Sequence, residues 1–169
     1  MEYDPASNSL TLISGPGNAG ESCYTGRMLL LPRGQVLFAN MSTDVEVYTP
    51  DGAPQEAWKP RITNAPGSVS ADQVYVLQGR QLNGLSQAVS YGDDAQMATN
   101  YPLVCLRNVA RGELVYCRTR NHSTMGVATG NATHSTEFTV PTAAPAGTAE
   151  LFVIANGIWS DPVSINVNS

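Results

Sequence analysis

Apolar residues fall along this chain in short runs, several with period-two alternation, interrupted by Gly, Pro, Asn and Asp too often for long helices. Residues 2–13 predict an edge strand arriving after a turn at Pro5 to Asn8, and Gly15 to Gly20 predict a loop. Three short strands follow, over Cys23–Leu31, Gln35–Asn40 and Asp44–Pro50, the first two joined by a Pro32-Arg33-Gly34 turn. They describe a small antiparallel meander, its alternation clearest at Val45 and Val47. Asp51 to Pro60 is a Pro-rich connector, and the domain boundary is placed there, dividing residues 1–60 from 61–169.

Beyond Arg61 the turn signals come at short, fairly even intervals and predict about seven strands, as a β-sandwich requires. These are Arg61–Ala65, Gln73–Arg80, Gln87–Tyr91, Leu103–Asn108, Glu113–Arg120, Thr136–Val140 with Leu151–Ala155, and Val163–Val167. The apolar runs from Tyr101 and from Glu113, joined by Val109-Ala-Arg-Gly112, form the hairpin that anchors this part. Alternation at Val74 and Val76, and again at Val163, Ile165 and Val167, predicts one buried and one wet face. Gly92 to Asn100 reads as a loop or a single helical turn, and Asn156-Gly157 as a type I′ hairpin turn. The fold class is therefore all-β.

Composition narrows what such a fold does. Hydrophobic residues are 42% of the 169, enough for a core, while charged residues are only 14%. A net charge of -5 with nine Lys and Arg leaves no basic face, so no nucleic-acid partner is expected. No apolar run approaches the ~20 residues of a membrane helix, so no membrane partner is expected. Met1-Glu-Tyr-Asp-Pro5 carries neither a basic nor an apolar leader, so the chain reads as cytoplasmic or as a piece of something longer. Cys23, Cys105 and Cys117 form neither a disulfide framework nor a zinc spacing. Cys105 and Cys117 occupy matching positions on the two hairpin strands, which makes a cross-strand disulfide conceivable; burial as small hydrophobes is the preferred reading.

Two stretches point to one family. Tyr24-Thr-Gly-Arg-Met-Leu-Leu-Leu-Pro-Arg-Gly-Gln-Val-Leu-Phe38, followed by Val45-Glu-Val-Tyr-Thr-Pro50, resembles the last kelch blade of galactose oxidase-like propellers. Pro145 to Ser164, with Asn156-Gly-Ile-Trp-Ser-Asp-Pro162 at its centre, resembles the final hairpin of the Ig-like (E-set) domain that follows that propeller. The resemblance implies a blade-like meander over residues 1–60 and an E-set sandwich over 61–169. It also implies where a copper ion would sit: Tyr24 matches the axial tyrosine and His122 falls where the E-set histidine would be. Thr25 stands where the family has histidine, and the cross-linked Tyr-Cys pair would lie upstream of Met1. One imidazole and one phenol cannot hold Cu(II) in a tetragonal site, and without the Tyr-Cys unit the second electron has no acceptor. No cofactor and no metal are therefore expected, with Tyr24 and His122 as vestigial candidates only.

Other chemistry is thinner. His134, in Gly130-Asn-Ala-Thr-His-Ser135, reads as an inert surface-loop residue. Asp93-Asp94 lacks the spaced pattern of a calcium loop, and Ser86, Ser123 and Ser135 lack a nucleophile elbow. Gly15-Pro-Gly-Asn-Ala-Gly20 is no phosphate loop, since Pro16 removes an N–H and no Lys-Ser/Thr follows. Three sequons, at Asn40, Asn121 and Asn131, matter only in a eukaryotic secretory pathway. Trp58, Tyr91, Tyr101, Tyr116 and Trp159 offer aromatic surface; Trp159, just past a hairpin turn, is expected to be exposed and is the candidate for carbohydrate binding.

Taken together the residues predict a non-catalytic structural or interaction module derived from a galactose oxidase-like protein. Its partner is a protein, either a second copy or a propeller-like surface. The alternatives are a copper-radical oxidase fragment, inactive without further blades, and a carbohydrate-binding module. Localisation stays open, the resembled family being often extracellular. Met28 to Leu31 and Val36 to Phe38 sharpen the leading expectation, because a blade is normally covered on both faces and these apolar strands need cover.

Overall fold

The computed structural model describes residues 1–4, 6–17, 20, 22–87 and 101–169. Its first 60 residues carry two small sheets. Strands β1 (Glu2–Asp4) and β2 (Ser9–Thr11) pair with each other, so a hairpin stands where one edge strand was expected. The reason is Asp4, whose carboxylate accepts the Ala6 N–H (2.9 Å) and the Ser7 hydroxyl (2.6 Å) and so reverses the chain. A 3-10 turn over Cys23–Thr25 then delays β3, which begins at Arg27 (Arg27–Leu30). With β4 (Val36–Ala39) and β5 (Val45–Tyr48) it forms the expected antiparallel meander, in the order β3-β4-β5. The Pro32-Arg33-Gly34 turn is closed by Leu31 N–H to the Gln35 carbonyl (2.7 Å), with Gly34 at φ 80°. Glu46 accepts the Gly17 N–H (2.7 Å) and draws the loop before β3 toward the face that carries Met28 and Phe38.

Past Pro60 come β6 (Arg61–Asn64), β7 (Ser68–Val69), β8 (Val74–Arg80), β9 (Leu103–Asn108), β10 (Leu114–Arg120) and β11 (His134–Thr139). Then follow β12 (Gly147–Ala155), β13 (Ile158–Trp159) and β14 (Val163–Val167). They hydrogen-bond in the order β6-β8-β11-β10-β9-β12-β14-β7, with β13 attached to β12. The sheet is continuous because β10 divides its partners: Leu114 to Cys117 pair with β9, and Arg118 to Arg120 pair with β11. At the division the Thr119 hydroxyl bonds the Pro102 carbonyl (2.8 Å), tying the departing half to the entry of β9. All pairings are antiparallel except β7 with β14.

One apolar cluster fills the space between the two halves. Leu77, Phe138 and Val140 enter from the β8–β11 side; Val104, Leu106, Cys117, Leu151, Val153, Ile165 and Val167 enter from the other. Val163, Ile165 and Val167 thus sit on the core face, as their alternation predicts. In β8 the phase is opposite to the valines: Val74 and Val76 are exposed, while Tyr75 and Leu77 turn inward. The pairing of Phe138 with Tyr75 and of Thr136 with Leu77 decides this, because it places the buried residues of both strands on one face. The strand expected at Gln87–Tyr91 lies outside the described residues from position 88, as does the Asp93-Asp94 loop, and Gln87 itself is not in a strand.

Cys105 and Cys117 do not face each other. The hairpin register pairs Cys105 with Tyr116 and Cys117 with Val104, one residue off, so the two thiols point to opposite faces of the sheet. Both are free and buried, and burial pushes the Cys105 thiol up to about 11 and the Cys117 thiol up to about 12. In the folded protein both should resist a thiol-reactive disulfide reagent at mildly alkaline pH and react at once after unfolding in urea. Fast labelling of either in native conditions, resolved by peptide mapping, would contradict this packing.

Candidate functional site

The chain places its sequence-predicted site residues in three separate settings. Tyr24 lies on the 3-10 turn with its side chain 61% exposed, and the neighbouring Thr25 hydroxyl is spent on the Ser22 carbonyl (2.8 Å). No hydrogen bond or ring contact joins Tyr24 to His122. Among the described residues no three His, Cys, Asp or Glu side chains converge as a metal site would need. A hydroxyl already bonded to a carbonyl, one exposed phenol and one imidazole do not fit a copper centre.

His122 is held where β10 ends. Asn121 takes a left-handed conformation (φ 50°), and its amide and the Arg120 guanidinium both reach the Glu137 carboxylate, at 2.8 and 3.2 Å. This turns His122 back onto β11, where Nδ1 lies 2.8 Å from the Thr136 hydroxyl and the ring stacks on Tyr101 (6.2 Å, 24°). The buried Thr136 hydroxyl has backbone carbonyls of Glu137 (3.2 Å) and Arg120 (3.4 Å) to receive its proton. Which group donates in the His122–Thr136 bond is set by the tautomer of the ring.

Burial lowers the His122 pKa below its ordinary value of 6.5. A histidine whose folded pKa is depressed binds less proton than its unfolded counterpart between the two values, so its contribution to stability is full above the unfolded pKa. It falls as pH drops through that window and levels off below the folded pKa. His122→Gln should flatten the change in urea midpoint between about pH 7.5 and about pH 5 relative to the parent chain. An NMR titration placing the His122 midpoint above the unfolded reference would refute the sign.

His134 is not in a loop. It opens β11 opposite Gly79, is partly buried, and its Nε2 is enclosed with no hydrogen-bond partner among the described residues.

Trp159 also departs from expectation, being half-buried. The Asn156-Gly157 turn forms as read, with φ of 49° and 73°, and β13 folds back on β12 so that Trp159 pairs with Ile154. The ring then meets Phe152 edge-on (5.0 Å, 70°), and its Nε1–H donates to the Pro32 carbonyl (2.7 Å). Gly157 is the second point of contact with the β3–β4 turn: a Cβ there would lie 2.4 Å from Gly34 Cα. Where the turn meets the hairpin an open cleft of about 460 Å³ remains, with Arg33, Pro54, Lys59, Ile158 and Trp159 among its walls. Lys59 is held by Glu56 (2.6 Å) and Asp161 (3.3 Å), which raise its pKa and keep it protonated.

Arg33 and Lys59 were not legible as site residues, because a turn arginine and a connector lysine are unremarkable until the two segments meet. The signal that existed was the pair of glycine-containing turns, each correctly placed. Of the other aromatics, Trp58, Tyr101 and Tyr116 are exposed at separate positions and Tyr91 lies outside the described residues. No family model matches this chain, and no curated protein matches it.

Proposed function

We propose that this chain is a non-catalytic β module that works by contact with protein, built like the closing part of a galactose oxidase-like protein. In that reading residues 1–60 correspond to a blade-like meander and 61–169 to an Ig-like, E-set sandwich. One observation carries it: among the described residues, no apolar side chain before Pro60 is buried. Every residue of β1 and β2 is exposed, and on β3 and β5 Met28 (66%), Leu29 (40%), Val45 (60%) and Val47 (50%) face outward. Two- and three-stranded sheets without a buried face are marginal by themselves, and an apolar surface of this kind marks a place where something packs. A blade lying between neighbours would have this character. Among the described residues neither edge of the meander, β3 nor β5, pairs with a further strand.

Light scattering over a wide concentration range, combined with side-chain footprinting, tests the reading. The expected result is a mass that rises with concentration, or protection of Met28, Leu29, Val45 and Val47, with both lost in a Val45→Lys, Val47→Lys variant. A strict monomer whose four side chains all label freely would sink it.

A further inference from the structure

We infer that the cleft between the β3–β4 turn and the β12–β13 hairpin is a binding site for an acidic sugar, a hexuronate unit within an oligosaccharide. This stands apart from the protein-contact reading, since it uses another surface and other residues. The size, about 460 Å³, lies within the range of small-ligand sites.

Three observations point to that chemistry. The aromatic wall is fixed: Trp159 is pinned through Nε1–H to Pro32 and by its edge contact with Phe152, so binding costs it little side-chain entropy. With Pro54 and Ile158 it supplies apolar surface on which the C–H face of a pyranose can lie. The charged side chains lining the cleft, Arg33 and Lys59, are both cations, in a chain whose net charge is -5. Lys59 is already matched by Glu56 and Asp161, so among the described residues the charge without a counter-ion at the cleft is the Arg33 guanidinium, and it is this group that favours an anion.

The two cations are not equivalent. Lys59 is shared between Glu56 and Asp161, which orient its ammonium and partly neutralise it. Arg33, by contrast, is exposed, and among the described residues no carboxylate pairs with it. Its guanidinium is therefore the group left to take a carboxylate, in the two-pronged geometry that suits one. An acidic peptide would satisfy the charge but not the flat apolar wall, and a neutral sugar would satisfy the wall but leave Arg33 without a counter-charge.

The chain has two tryptophans, so a Trp58→Phe background leaves Trp159 as the only indole reporter. Its fluorescence is followed while an oligogalacturonate is added, with a neutral galactan oligomer of equal length and an oligoglutamate peptide as comparisons. A saturable change with the oligogalacturonate alone, weakening with added salt, is the expected result. Arg33→Ala should bind roughly five- to tenfold more weakly, the scale of one charge-assisted contact, and Arg33→Lys less weakly than that. Because Arg33 is exposed on a turn, an unchanged urea midpoint will show that these variants remain folded. The assignment fails if the neutral oligomer or the glutamate peptide binds as well, if Arg33→Ala binds like the parent, or if the oligogalacturonate produces no saturable response.

Discussion

Replacing Phe138 with alanine should cost about 3–5 kcal/mol of stability, the usual range for emptying a buried phenylalanine site. Phe138 is wholly buried on β11, at the meeting of the two sheet halves, and its ring lies 5.9 Å from that of Tyr75 on β8. The vacancy would not collapse easily, because Tyr75 is itself tethered: its hydroxyl accepts the Ser70 N–H at 2.8 Å. The loss corresponds to a fall in melting temperature of roughly 10 °C for a chain of this length. Urea denaturation is the direct check, with the midpoint moving down and the slope unchanged. Val76→Ala on β8 provides the contrast. That side chain is 53% exposed, so its truncation should stay within about 0.5 kcal/mol. If Val76→Ala proved the more damaging, the phase of β8 described above would be wrong.

The second large effect is expected at Gly157, and it is local. Gly157 has φ 73°, where an L side chain costs about 1–2 kcal/mol, and its missing Cβ is the space into which the β3–β4 turn fits. An added methyl would meet Gly34 Cα at 2.4 Å, Gly34 N at 2.6 Å and the Leu31 carbonyl at 3.2 Å. Since all three are backbone, the whole turn must move, and the Trp159 Nε1–H bond to Pro32 should go with it. Gly157→Ala should therefore abolish protection of that indole proton against solvent exchange while leaving the Phe138 core intact. Gly34→Ala isolates the geometry. It shares the positive φ (80°), but its Cβ comes no nearer than 3.7 Å to Gly157 O, so protection should survive. Loss in both variants, or in neither, would show that close approach is not what holds the turn down.

Much of the strand inventory was legible because alternation and turn residues are local signals. The hairpin of β9 and β10, the strand β14 and the Asn156-Gly157 turn all stand where the residues place them. What escaped was decided at a distance. In β8, Val74-Tyr-Val-Leu77 is apolar in both phases, so only the partner strand chooses which face turns inward. The Cys105–Cys117 offset depends on a single residue of register, set in the turn where Asn108 N–H bonds Glu113 O (2.9 Å) and Gly112 N–H bonds Asn108 O (2.8 Å). Strand β7 is two residues long and pairs in parallel with β14, too short to leave a pattern. His134 was read as a loop residue because its polar neighbours outweighed the Thr136–Phe138 alternation that continues β11. Trp159 is covered by a carbonyl 127 positions earlier, and no local signal contains that contact.

The shared strand β10 has a mechanical consequence. Because its two halves are zipped to different neighbours, each layer separates by unzipping its own half of the strand, and the covalent backbone between Cys117 and Arg118 still tethers the two afterwards.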